Sequence, residues 1–265
     1  EGSCKFCDFD CDKELKAKIK GNLRIFDALT TGLLGKVKYE NSLVLGYFNE
    51  TIKIMYENKN KLVSSKTAGI SDINYFRRVN HSNIVTNSKP KSNWDSLLND
   101  FECIINSIKP DLIVTLHPQI DSNIDHKYIT LAIIEAMEKL NCEEIKLLTL
   151  TNHLTQNEFY PYGNMFSTTA LAPRFKTSFI FDSIYSHKLS REQQIYKYYA
   201  LESMHDLRDS TIQIGFKKAF LFAFRQLRRY LSGKEKSYYR RSVRTNEIFY
   251  VTNYKDLKRA YEDIL

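Results

Sequence analysis

The chain lacks what would thread it through a bilayer or cross-link it. Its 265 residues hold no uncharged apolar run of about 18 residues, the length that a spanning helix needs, and no secretory hydrophobic region stands near Glu1. Five cysteines, an odd number in a chain this long, argue against a disulfide framework and for a reducing, cytoplasmic compartment. Cys103 and Cys142 stand in apolar patterns and read as core residues. Cys4, Cys7 and Cys11 read either as exposed loop thiols or as part of a metal site completed by Asp8, Asp10 or Asp12. A glycine-rich phosphate loop is missing, as are internal repeats and low-complexity tracts. What is present, 43% hydrophobic residues, suffices for a single compact domain.

Apolar periodicity gives alternating helices and strands. Residues 13–34 and 94–108 have helical spacing, the second ending at Lys109-Pro110. Residues 42–48 read as a strand, 57–71 as a long polar loop, and 73–78 and 82–86 as weaker short elements. Residues 111–116 form an apolar run expected to be the central strand, 127–140 the next helix, and 145–151 the next strand. Such alternation indicates an α/β fold, a Rossmann-like and mostly parallel sheet with helices on both faces, in three layers.

Open α/β sheets place their chemistry at the carboxyl ends of the strands. There the chain offers Thr115-Leu116-His117-Pro118 and then Asp121-Ser122-Asn123-Ile124-Asp125-His126. Two carboxylates, an amide and an imidazole within six residues are enough for a metal ligand, an orienting partner and a polarising group. Asp125 and His126 fall at the start of a helix, whose dipole favours anions. His117 reads as a lining or core imidazole and His153, ending the next strand, as a substrate contact; His81 and His187 read as solvated, and His205 carries no assigned role. Tyr160-Pro161-Tyr162-Gly163-Asn164 reads as a turn or as a loop on which a sugar ring could stack.

The spacing Asp121 to His126, after a strand ending in Thr-x-His-Pro, resembles the second signature of the PIG-L/LmbE-like zinc-dependent N-deacetylases. Shorter patterns fit the same family. Arg24 with Asp27 and Leu34-Gly35 resembles its Arg-x-x-Glu helix, and Leu45-Gly46-Tyr47-Phe48-Asn49 its Leu-Gly-Tyr-x-Asp segment. Lys197 with Ala200-Leu201 is similar to its Lys-x-x-Ala-Leu helix, and Glu247-Ile248-Phe249 to its closing Glu-x-Phe strand. The first signature, His-Pro-Asp-Asp-Glu, is not in these residues, and Glu1-Gly2-Ser3 looks like a turn that follows it. The expectation is therefore an amino-terminally incomplete copy, with a decayed homologue as the rival reading.

The resemblance implies zinc-dependent hydrolysis of the N-acetyl group of an amino sugar, of the N-acetylglucosamine type, free or lipid- or nucleotide-linked. It implies Zn2+ held by His126 together with a His and an Asp of the first signature, and a general base from that signature. Asp125 would orient the site, Asn123 face the oxyanion, and Arg24, Asp27, Asp121, His117 and His153 contact or support the substrate. From the residues alone, Arg24 and Asp27 read equally as a surface i,i+3 pair. The competing functional readings are a sugar- or phosphate-binding homologue without metal, and a nucleotide-sugar transferase.

Residues 1–214 are taken as the deacetylase-like part of the domain, and 215–265 as a basic amphipathic helix with the closing strand and helix. Between Gly215 and Arg244 stand ten Lys or Arg, among them Lys217, Lys218, Arg225, Arg228 and Arg229, against a single acid, Glu235. Three readings compete for this segment: a packed helix with its charges in water, a peripheral contact with anionic lipid or a ligand's phosphates, and nucleic-acid tracking, which no recognised motif supports.

Overall fold

The computed structural model describes residues 12–154, 160–172, 180–204, 220, 223–224, 227 and 238–262. The Cys4, Cys7, Cys11 trio, His205 and the basic residues Lys217, Lys218, Arg225, Arg228 and Arg229 lie outside the described residues.

Local chemistry sets the helix limits. Helix α1 (Lys13–Leu34) starts behind Asp12, whose side chain accepts from the Glu14 amide, and stops at Gly35. After the short α2 (Ile52–Glu57) and α3 (Asn74–Arg77), α4 (Trp94–Ile108) opens under Asn93, whose Oδ1 accepts from the Ser96 amide at 3.0 Å. It closes at Lys109, which takes a positive φ of 49° just before Pro110. Strand β1 (Leu112–Leu116), α5 (Ile124–Lys139) and β2 (Lys146–Leu150) follow as one βαβ unit. Then come β3 (Ser183–Lys188), α6 (Arg191–Ser203) behind a Ser190/Gln193 capping box, α7 (Tyr238–Arg241), β4 (Asn246–Thr252) and α8 (Tyr254–Glu262).

The strand order is β1-β2-β4-β3, with β1 and β2 parallel and β4 antiparallel to both its neighbours. The sheet is thus mixed, where a mostly parallel one is expected from the sequence. Parallel pairing of neighbours requires a crossover element, and α5 supplies one only between β1 and β2. Residues 111–116, expected to be central, form a strand at the end of the sheet's order, with Leu112 and Val114 44% and 52% exposed. Both faces of β2 are covered, because the successive residues Leu147, Leu148 and Thr149 are all buried.

Residues 42–48 run as a chain without a strand ladder, which corrects the strand expected there. Side chains take the backbone groups that a neighbouring strand would have used. Asn80 receives the Val44 amide at 2.9 Å and donates to its carbonyl at 2.7 Å, and Arg77 Nε donates to the Leu45 carbonyl. The run turns at Gly46, whose φ is +76°; a Cβ there would meet the Ile73 carbonyl oxygen at 2.6 Å.

The core forms around α5, which packs on β1, α2, α4 and α8. Trp94, Leu97, Ile134, Met137, Leu147 and Leu257 are fully buried in it, and the Trp94 indole N–H reaches Glu135 Oε2 at 2.9 Å. One cluster extends from Ile52 to Tyr261, so α8 closes the same core that α4 and α5 begin. Tyr261 fastens the end of α8 by donating its hydroxyl to the Lys127 carbonyl in the first turns of α5.

Candidate functional site

The carboxyl ends of β1 and β2 meet at one residue, Asp121. Its side chain is fully buried yet surrounded by donors. Oδ1 accepts from the Asn123 amide at 3.0 Å, and Oδ2 from the amides of Asn152 at 2.9 Å and His153 at 3.2 Å, with Thr151 Oγ1 at 3.4 Å. The Ser122 amide donates in turn to the His153 carbonyl at 2.8 Å. This carboxylate therefore welds the β1–α5 loop to the end of β2.

His126 Nδ1 lies 3.0 Å from Asp121 Oδ1. Burial alone would raise the Asp121 carboxyl, but the His126 hydrogen bond and the amides of Asn152 and Asn123 outweigh it and hold it below its ordinary value. An ionised Asp121 accepts, so Nδ1 is the His126 nitrogen that donates in this hydrogen bond. The imidazole side chain is 26% exposed and stacks on the His153 ring, with centroids 5.5 Å apart.

Asn123 caps α5: its Oδ1 accepts from the amides of Asp125 at 2.9 Å and His126 at 3.4 Å. With the oxygen held on the helix start, the amide nitrogen is the end able to donate to an incoming oxyanion. Asp125, given the orienting place by the sequence, instead reaches across to the start of α2, where its carboxylate takes the Glu50 amide and, at 3.3 Å, the Ile52 amide. Asp121 holds the orienting place because it precedes the helix and can reach Nδ1 from below, whereas Asp125 lies on the first turn facing α2. Asp125 also lines a cavity of about 330 Å³ together with Leu45, Tyr47, Phe48, Leu97 and Ile129.

His117 is fully buried. Burial drives its pKa down to about 4, with the hydrogen bond to the Ile180 carbonyl, 3.0 Å from Nε2, opposing that shift. Nδ1 accepts from the Gln119 amide at 3.3 Å, and Gln119 Oε1 takes the Ile180 amide at 3.0 Å. This neutral imidazole clasps the chain at Ile180 inside the protein. His153, in contrast, is exposed beside His126. Arg24 is exposed and Asp27 buried on α1, which packs on α6 and α3, whereas the Asp121–His126 group is built by β1, β2 and α5.

Two features escape sequence reasoning. Lys197 on α6 and Glu247 on β4, 50 residues apart, form an ion pair near the same end of the sheet. Arg244, only 1% exposed, donates Nη1 to the Asn164 carbonyl at 2.8 Å and to Ser167 Oγ, and Nη2 to the carbonyls of Pro161 at 2.7 Å and Gly163 at 3.1 Å. The Tyr160–Asn164 loop is thereby held on one guanidinium. Within a strongly basic stretch, nothing in the sequence distinguishes this arginine from its neighbours.

Among the described residues, no three His, Cys, Asp or Glu side chains are gathered to hold a metal ion. Nor is any described helix long and apolar enough to cross a membrane. The fold and site define a mixed α/β protein with a carboxylate-oriented histidine at the carboxyl ends of its parallel strands. Compared with known proteins, the chain matches no family model, no curated protein and no solved structure.

Proposed function

We propose that this chain acts as a PIG-L/LmbE-like, three-layer α/β zinc hydrolase that removes the N-acetyl group of an amino sugar of the N-acetylglucosamine type. The observation that carries the reading is the Asp121–His126 pair. A buried carboxylate fixing Nδ1 of a half-open imidazole is the arrangement by which metal-binding histidines are oriented, with Nε2 presented to the ion. His126 thus fits one ligand position. Its partners would be a His and an Asp of a His-Pro-Asp-Asp-Glu segment, and β1, last in the sheet's order among the described residues, has an outer edge along which such a segment can pair.

Zinc at that position would supply Lewis acidity to the amide carbonyl and to the attacking water. The chain's own residues do the rest of the work at stated atoms. Asp121 keeps His126 in the tautomer with a free Nε2, and Asn123 donates from its amide nitrogen to the developing oxyanion. Asp125 fixes the backbone of residues 50–52 at the wall of the cavity. His153 lies exposed beside the ligand, placed to meet the sugar.

The test is acetate release from an N-acetylated amino sugar by the full-length protein, with zinc content measured on the same sample. Zinc bound in proportion to protein, chelator-sensitive acetate release and loss of both in His126→Ala support the reading. A zinc-free protein that binds amino sugars without releasing acetate replaces it with the non-catalytic reading.

A further inference from the structure

Phe220, Phe224 and Leu227 are 65%, 55% and 54% exposed, and Ala223 between them is exposed as well. All four are helical, and positions i, i+3, i+4 and i+7 share one face of a helix. In a globular protein such a stripe turns inward, because each large apolar side chain left in water forgoes about 1.5–3 kcal/mol of burial. Here it turns outward. The sequence extends the same stripe at helical spacing to Phe216 and Leu231, and its interleaved positions hold Lys217, Lys218, Arg225, Arg228 and Arg229.

We infer that the face formed by Phe220, Phe224 and Leu227 docks on an anionic phospholipid bilayer, those side chains entering the acyl boundary while the Lys and Arg that surround them in the sequence are drawn to lipid phosphates. Charge decides among the occupants of this face. Five basic residues and no acid between Phe216 and Leu231 would set positive against positive if a second copy covered it. Nucleic acid would satisfy the charges but leave the aromatic stripe in water. A bilayer with anionic headgroups satisfies both halves, which is the arrangement of interfacial amphipathic helices. The inference stands apart from the proposed chemistry.

The experiment is flotation of the full-length protein with vesicles of phosphatidylcholine alone and of phosphatidylcholine mixed with phosphatidylserine, at low and high salt. Binding is expected only to the phosphatidylserine vesicles and is weakened by salt. The triple variant Phe220→Ser, Phe224→Ser, Leu227→Ser loses it with an unchanged thermal melt, since those side chains are exposed. Arg225→Gln, Arg228→Gln, Arg229→Gln weakens it on the order of a hundredfold. Phe224→Trp reports insertion without removing the stripe: against the constant emission of Trp94, the chain's one native tryptophan, its fluorescence shifts to the blue on anionic vesicles. Three results overturn the inference: no binding to anionic vesicles, equal binding to both vesicle types, or self-association in solution that the serine variant abolishes.

Discussion

Asp100 and Asp121 are both fully buried carboxylates with several donors each, and they end differently. Asp100 takes both Nη atoms of Arg77, the Tyr47 hydroxyl at 2.8 Å and the Asn87 amide at 3.0 Å. The Arg77 side chain is itself only 9% exposed. Burial and the Asp100 charge drive the Tyr47 phenol far above its ordinary value. Every group in that cluster is spent on the interior, and its effect is to pin residues 42–48 to α4. Asp121 spends its oxygens on amides of two loops and on one imidazole that reaches solvent. The two buried charges thus differ in one respect: the network of Asp121 has an open end, and that of Asp100 has none.

The comparison is broken most severely at His126. His126→Ala is expected to abolish acetate release while moving the melting temperature little, as an assay on folded protein with its zinc content measured would show. Activity that persists means the open end is not the ligand. Asp100→Ala should do the reverse, costing about 3–5 kcal/mol in denaturant unfolding because Arg77 is left buried without its counter-charge, with activity per folded molecule retained. A milder change, Asp121→Asn, keeps the loop's shape but loses the charge that fixes the His126 tautomer; zinc affinity should fall about 10–100-fold in a competition titration.

Gly46→Ala tests whether the run held by Arg77 needs its turn. With φ at +76° and a carbonyl oxygen where the methyl would go, a loss of about 1–3 kcal/mol is expected by thermal melting. A further test concerns pH. His117 titrates near 6.5 when unfolded and near 4 when folded, so its contribution is complete above 6.5 and declines as the pH falls from there towards 4. His117→Gln should flatten the pH dependence of stability across that interval, measured by urea unfolding at a series of pH values.

Helices α1 and α4, strands β1 and β2 and most of α5 are legible in the sequence because their apolar spacing is long and regular. Residues 42–48 have a strand's apolar run, but a strand also needs a neighbour, and here Asn80 and Arg77 take the backbone instead. Strand β3 gives no apolar signal, since nearly all its residues are exposed, and it is held by β4 alone. Of the site, Asn123 and His126 are legible because the cap and the imidazole lie within one short segment. The join of Asp125 to Glu50, 75 residues away, is a tertiary fact with no local trace. The same holds for the amides of Asn152 and His153 that complete Asp121.

The insertion of β4 between β2 and β3 sets the order in which the protein can be assembled. β4 is the last strand in the sequence, and its contact with β2 joins Thr149 to Tyr250, 101 residues apart. Until it arrives, β3 has no partner and the inner edge of β2 stands open, so the sheet closes only after a long loop has been ordered. Such non-local closure is slow compared with helix formation, and it leaves two unpaired strand edges on the nascent chain through much of its synthesis. For that interval the chain depends on protection from aggregation more than the finished fold would suggest.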